Sequence, residues 1–187
     1  HHSSMKYVAE SRREIAPEKT IFNLLGPLTN PAGAKKQLIG VYSESLMEIV
    51  AETLINLGTK RAMIIHSYDG MDEISIYDKT HVIEINNSEM RRYDIDPSEY
   101  FSCNSSISSI IVNDAKQSLA MMMSVLKNED TPARMISLIN AAALVYLSGK
   151  SESISDGIDI CKNSLETNSA YDKLNQIIEL TNGFEEC

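Results

Sequence analysis

Between Lys36 and His66 two short apolar runs, KQLIGVYS at 36–43 and RAMIIH at 61–66, bracket an amphipathic stretch from Glu44 to Leu57 that stops at Gly58. The runs read as buried strands, while Leu46, Ile49, Val50, Leu54 and Leu57 recur at helical spacing. Ser43 stands where a helix cap is expected and Gly58 where a C-terminal stop is expected. Strand, helix and strand at this spacing argue for a right-handed crossover joining two parallel neighbours. The chain is therefore expected to be α/β, with a mainly parallel sheet and flanking helices.

The remaining segments fill in around that unit. Asp72 to Tyr77, His81 to Asn86 and Glu89 to Ile95 alternate apolar and polar residues, with Asn86-Asn87-Ser88 as a hairpin turn, so a small antiparallel ribbon is expected. Asp96-Pro97 opens a helical turn, and Ser105 to Val112 is ambiguous. Four helices follow over 114–127, 132–148, 155–166 and 169–181, the second marked by Pro132 at its start and Gly149 at its end. Before the first strand, Met5 to Glu14 reads as a helix. Thr20 to Leu25 reads as a short buried helix stopped by Gly26-Pro27, with Asn30-Pro31 turning the chain away. A chain of 187 residues with 43% hydrophobic composition is long enough for one main domain with a real core.

Charge and cysteines exclude some functions. A net charge of −9 gives phosphate backbones and anionic membranes little to bind, and Lys35-Lys36 and Arg91-Arg92 read as solvated spots. No apolar run approaches the roughly 20 residues that span a bilayer. Cys103, Cys161 and Cys187 are odd in number and widely spaced, with no secretory segment before them, which fits free thiols in a reducing cytoplasm. His66, His81 and Cys103 follow no ligand spacing. Met121-Met122-Met123 reads as core filler. Neither a P-loop nor G-x-G-x-x-G occurs.

The chemistry concentrates in Asp69-Gly70-Met71-Asp72-Glu73, where three carboxylates share a glycine-containing turn just past a predicted parallel strand. Open sheets bind ligands at that edge, and Mg2+ takes one or two carboxylates alongside substrate phosphates. In extended backbone the side chains of Asp72 and Glu73 would point to opposite faces. The pair therefore either lies in a bend or serves two sites. From spacing alone an acidic surface turn is the first reading. Arg12 is a second candidate, because a guanidinium fork matches a carboxylate bidentately. By composition alone it reads as a solvated charge, and Arg13 is beside it.

Two strings, TIFNLLGPLTNP at 20–31 and Asp-Gly-x-Asp-Glu at 69–73, resemble the signature of the anthranilate phosphoribosyltransferase family. The likeness runs from His2 or Met5 to about Leu174. His2, Met5, Lys6, Val8, Ala9 and Arg12 fall on a family pattern, although HHSS before Met5 reads equally as a purification-tag scar, so nothing rests on His2. The resemblance implies transfer of phosphoribose from phosphoribosyl diphosphate to the amino group of anthranilate, in tryptophan biosynthesis. It assigns Mg2+ binding to Asp72 and Glu73, anthranilate binding to Arg12, and a place on the wall of the acceptor's tunnel to Gly26-Pro27. No general acid or base is named. Between Arg12 and Thr20 the chain is one residue longer than the family pattern. Ser118-Leu119 also departs from the family's Asn-Ala, which leaves that helix a packing role. Asn140, in NAAALVY, reads as a buried hydrogen-bonding residue.

The family's Gly-Thr-Gly-Gly-Asp diphosphate loop and Lys-His-Gly-Asn segment do not occur in this sequence. The resemblance thus implies the C-terminal part of an enzyme, inactive alone. Residues 1–33 are expected to be the remnant of a mostly missing helical domain, and 34–187 an incomplete α/β domain. An unpaired sheet edge is expected to pair with a second copy or a partner, or to aggregate, and a monomer by light scattering would count against this. The intact enzyme is expected to be a cytoplasmic homodimer; association with a glutamine amidotransferase is left open. A pyrimidine-nucleoside phosphorylase and a non-catalytic nucleic-acid-binding homologue are the alternatives.

Overall fold

The computed structural model describes residues 13–14, 20, 22–30 and 32–184. Its sheet has four strands in the order β1-β2-β3-β4: Lys36–Gly40, Arg61–Ser67, Thr80–Asn86 and Glu89–Ile95. β1 and β2 run parallel with Leu38 opposite Met63, as the crossover argument requires. β3 and β4 form the expected ribbon, turned by Asn87 and Ser88 at positive φ. That ribbon also pairs antiparallel with β2, Ile64 opposite Ile83, so one mixed sheet contains both parts. The α/β class holds, but among the described residues the sheet is mixed rather than mainly parallel, because the β3–β4 ribbon joins it antiparallel and only β1 and β2 run parallel. Among the described residues β1 has a strand partner on one side only.

Six helices surround the sheet among the described residues: α1 (Phe22–Leu28), α2 (Met47–Asn56), α3 (Ala115–Leu126), α4 (Pro132–Ser148), α5 (Ile154–Glu166) and α6 (Ser169–Asn182). Successive strand residues face opposite sides, and this divides the core in two. Ile39, Ala62, Ile64, Ile83 and Ile85 face Met47, Val50, Ala51 and Leu54 of α2, with Leu24 and Leu28 of α1 at the margin. Met63, Ile65 and Val82 face Ile139, Ala142, Ala143 and Leu147 of α4 and Ile158 of α5. Each fully buried Leu or Ile contributes about 1.5–3 kcal/mol relative to exposure, so these two layers fix the sheet between α2 and α4. Gly157 is what brings α5 against α4: a Cβ there would lie 2.7 Å from the Ala142 carbonyl oxygen.

Caps set the helix limits. Asp114, Thr131 and Ser153 accept hydrogen bonds from Gln117, Arg134 and Asp156 N–H, and Gly149 closes α4 at φ 80°. Asp96 caps the helical turn that starts at Pro97.

Five local expectations need correction. α1 runs through Gly26-Pro27 to Leu28, with Thr29 N–H still bonded to the Leu25 carbonyl; the carbonyl that Pro27 leaves without a helical partner belongs to exposed Asn23, where water can serve it. Ser43 makes no side-chain cap bond, and a 3-10 turn at Glu44–Leu46 precedes α2. Ile49 and Leu57 lie on the solvent side of α2, where Met47 and Ala51 complete the buried stripe instead. Met121 to Met123 are not core: α3 buries no residue, and Met121 and Met122 line a groove of about 510 Å3 against Ala133 and Ile136 of α4. Residues 72–77 form no strand. Ile74, Ser75 and Ile76 are buried, but in an irregular turn rather than a ladder.

Candidate functional site

β2 ends at Ser67, and the chain makes a tight turn in which Gly70 N–H reaches the Ser67 carbonyl at 2.9 Å. Gly70 sits at φ 90°, a conformation open to glycine at little cost. Asp69 uses both oxygens inward. Oδ1 accepts from Met71 N–H at 3.2 Å and Oδ2 from the Ser75 hydroxyl at 2.5 Å. It is therefore part of the turn's framework, as the Asx geometry of such residues favours. Thr80 Oγ1 accepts from Ser75 N–H, and Ser67 Oγ donates to the Lys79 carbonyl, which closes the base of the turn.

Asp72 and Glu73 stand at the outer end of this framework in a bend, both exposed. The bend removes the objection that extended neighbours point apart. Gly40, the last residue of β1, lies directly beneath: a Cβ there would overlap the Asp72 carbonyl oxygen and lie 2.6 Å from its carbon. On the other side Ile74 N–H donates to Asn140 Oδ1 at 3.0 Å, and Asn140 Nδ2 donates to the Ile74 carbonyl at 2.9 Å. The two carboxylates thus sit at the C-terminal end of a parallel strand pair, where α/β folds place ligands.

Electrostatics marks Glu73. Partial burial of its carboxyl, and then the charge of Asp72, push its pKa above the usual carboxylate range, although the residue as a whole is exposed. Among the described residues neither carboxylate forms an ion pair. Two adjacent oxygen donors repelling one another suit a hard divalent cation that completes its shell with water and phosphate. Among the described residues no three His, Cys, Asp or Glu side chains group as a metal cluster, so such an ion would depend on further oxygens. In an NMR titration Glu73 is expected to titrate above ordinary glutamate, and Asp72→Asn to bring it partway down, because burial remains. The native state then holds this proton more tightly than the unfolded chain. Glu73 accordingly favours folding below the ordinary carboxylate range, and that contribution is lost as pH rises through its raised pKa.

The other sequence candidates lie elsewhere. Arg12 is outside the described residues, as are Ile21 and Pro31. Pro27 lines a cavity of about 150 Å3 with Asn30, Gln37, Leu54 and Thr59, at the opposite end of β1 from Asp72. His66 and His81 face each other across β2 and β3 but bond separately, His66 Nδ1 with the Val41 carbonyl at 2.8 Å and His81 Nδ1 with Asp94 at 2.9 Å. Cys103 packs against the α4 layer, away from both. Asn140 is a hydrogen-bonding residue, as its string implies, but it is half-buried rather than buried, and its partners are the acidic turn and the Ile136 carbonyl. Sequence reasoning missed Gly40, although a glycine within a strand is the usual sign that another backbone passes close by.

A model of the family described as "Glycosyl transferase family, a/b domain" matches residues 1–171. The chain is 42% identical to the anthranilate phosphoribosyltransferase of Nitrosomonas eutropha over 181 residues, 97% of the chain and 53% of that protein. With that of Laribacter hongkongensis it shares 44% over the same spans. The chain therefore spans about half the length of the curated relatives it matches. Among solved structures, the anthranilate phosphoribosyltransferase of Thermus thermophilus is similar at TM-score 0.82 and 31% identity, over 94% of this chain and 51% of that one. The Saccharomyces cerevisiae enzyme in complex with PRPP and Mg is similar in fold at TM-score 0.86 and 24% identity, over 98% and 53%.

Proposed function

Because the chain belongs to the glycosyl transferase family named for its α/β domain, we propose that it is part of an enzyme that moves phosphoribose from phosphoribosyl diphosphate to the amino group of anthranilate. The observation that carries this reading is the Asp72–Glu73 pair, held in a bend at the C-terminal end of the parallel strands, with neither carboxylate in an ion pair among the described residues. The relatives named above all bear the transferase name, and the net charge of −9 opposes a nucleic-acid-binding role; neither alternative is favoured.

In this mechanism Asp72 and Glu73 would hold Mg2+, with its remaining ligands supplied by water and substrate oxygens. When bound, the ion neutralises charge on the departing pyrophosphate. Arg12 pairs bidentately with the acceptor's carboxylate and turns its amine toward the anomeric carbon. Breaking the anomeric C–O bond while forming C–N needs no covalent intermediate on the protein, so positioning and electrostatics supply the acceleration. The intact enzyme is read as a cytoplasmic homodimer. No helix among the described residues is long and apolar enough to cross a membrane.

Calorimetry with anthranilate tests the acceptor half of this reading. Wild-type chain should bind it, and Arg12→Ala should lose that binding while an Asp72→Asn/Glu73→Gln variant keeps it. Equal binding by wild type and Arg12→Ala would remove Arg12 from the site.

A further inference from the structure

The acidic pair is anchored on both sides, and one of the two anchors belongs to a different element. Before it, the Met71 carbonyl accepts from Ser67 N–H at 2.9 Å and Met71 N–H donates to Asp69. After it, both backbone groups of Ile74 are taken by the side-chain amide of Asn140 on α4. Asp72 and Glu73 are the two residues left between these anchors. The other hydrogen bonds of the turn stay within 67–80 or run to Asp94 and Ser109. Among the described residues, Asn140 alone hydrogen-bonds the turn to α4. Its Nδ2 also donates to the Ile136 carbonyl at 2.9 Å, which fixes the orientation of the amide. Ile74 is fully buried, so water is a poor substitute for the two bonds.

We infer that Asn140 is a positioning residue, whose amide clamps the backbone of Ile74 and so holds the Asp72 and Glu73 carboxylates in the arrangement that binds a divalent cation. The inference rests on reading that pair as the cation site. Asn140 acts only through the backbone of the turn. Groups that orient metal ligands without touching the metal typically change affinity by about 10- to 100-fold when removed.

The test is a titration of the full chain with Mn2+, followed by water-proton relaxation, together with amide hydrogen exchange at Ile74. Asn140→Ala is expected to weaken Mn2+ binding by about 10- to 100-fold and to raise exchange at Ile74 well above the change in β2 and β3. Leu147→Ala, two turns along the same buried helix face, supplies a control that lowers stability without touching the turn; it should keep wild-type affinity. Asn140→Asp retains the acceptor for Ile74 N–H but not the donor, and should fall between. Wild-type affinity in Asn140→Ala, or an equal loss in Leu147→Ala, overturns the inference. A wild-type chain that binds no Mn2+, or an Asp72→Asn/Glu73→Gln variant that still binds it, overturns the reading of the pair itself.

Discussion

Gly40→Ala is expected to displace the acidic turn and to destabilise the protein together with the cation site proposed there. The methyl group would occupy the space of the Asp72 carbonyl oxygen and approach its carbon to 2.6 Å, and its Cβ would lie 3.0 Å from that of Asp72. Neither partner can yield cheaply. Gly40 is held by the ladder to β2, in register with Ile65, and Asp72 lies between the Met71 and Ile74 anchors. Overpacking of this kind costs about 1–3 kcal/mol, occasionally more. Urea unfolding should report that loss, and Mn2+ affinity should drop by about 10- to 100-fold as the ligand pair moves. A Gly40→Ala protein with wild-type stability would mean that the turn does not rest on β1.

The second large effect lies at the other end of the sheet. Glu84, 8% exposed, accepts hydrogen bonds from the hydroxyls of Tyr93 and Tyr146, each at 2.9 Å, and faces Arg61 at 3.9 Å. The Arg61 guanidinium in turn lies 4.9 Å from the centre of the Tyr146 ring. Burial, then the neighbouring carboxylate, pushes the Tyr93 hydroxyl far up, so it stays a donor throughout the working range. Glu84→Ala removes the acceptor for both tyrosines and the counter-charge for Arg61. Removing one partner of a buried pair costs about 3–5 kcal/mol. Glu84→Gln keeps an acceptor oxygen and should lose on the order of 1 kcal/mol. Because this cluster is remote from Asp72, cation affinity of any folded Glu84 variant should match wild type. A Glu84→Ala protein of unchanged stability would show that the two hydroxyls and Arg61 find other partners.

The contrast between these two sites explains what could be read from residues alone. The β1–α2–β2 unit was legible because its signals are local: apolar runs, a helical stripe and Gly58. The ribbon was legible from alternation and the Asn87-Ser88 turn. Residues 72–77 misled because Ile74 and Ile76 alternate with polar neighbours for a non-ladder reason, both side chains entering the α4 layer from a turn fixed by Asp69 and Asn140. Asp72 and Glu73 were visible as a motif. Gly40 was not, and Asn140 was visible only as a hydrogen-bonding residue without its partner, because each meets the turn across a long stretch of chain, 66 residues in the case of Asn140 and Ile74. Glu84 was equally hidden, since its partners Arg61 and Tyr146 come from another strand and a helix.

The acidic pair also implies a trade between stability and binding. With its pKa raised by burial and by Asp72, Glu73 works against folding at neutral pH. Glu73→Gln should therefore leave stability unchanged or slightly higher while weakening cation binding, the pattern expected where a site is kept for function.

In the proposed function Asp72 and Glu73 together grip a divalent cation. Crystals of the chain grown with Mn2+ and measured near the manganese absorption edge test it directly. The account predicts an anomalous peak within coordination distance of both carboxylates, absent in Asp72→Asn/Glu73→Gln crystals. Manganese found only at other carboxylates, such as Glu44 and Asp94, with none at the turn, would contradict it.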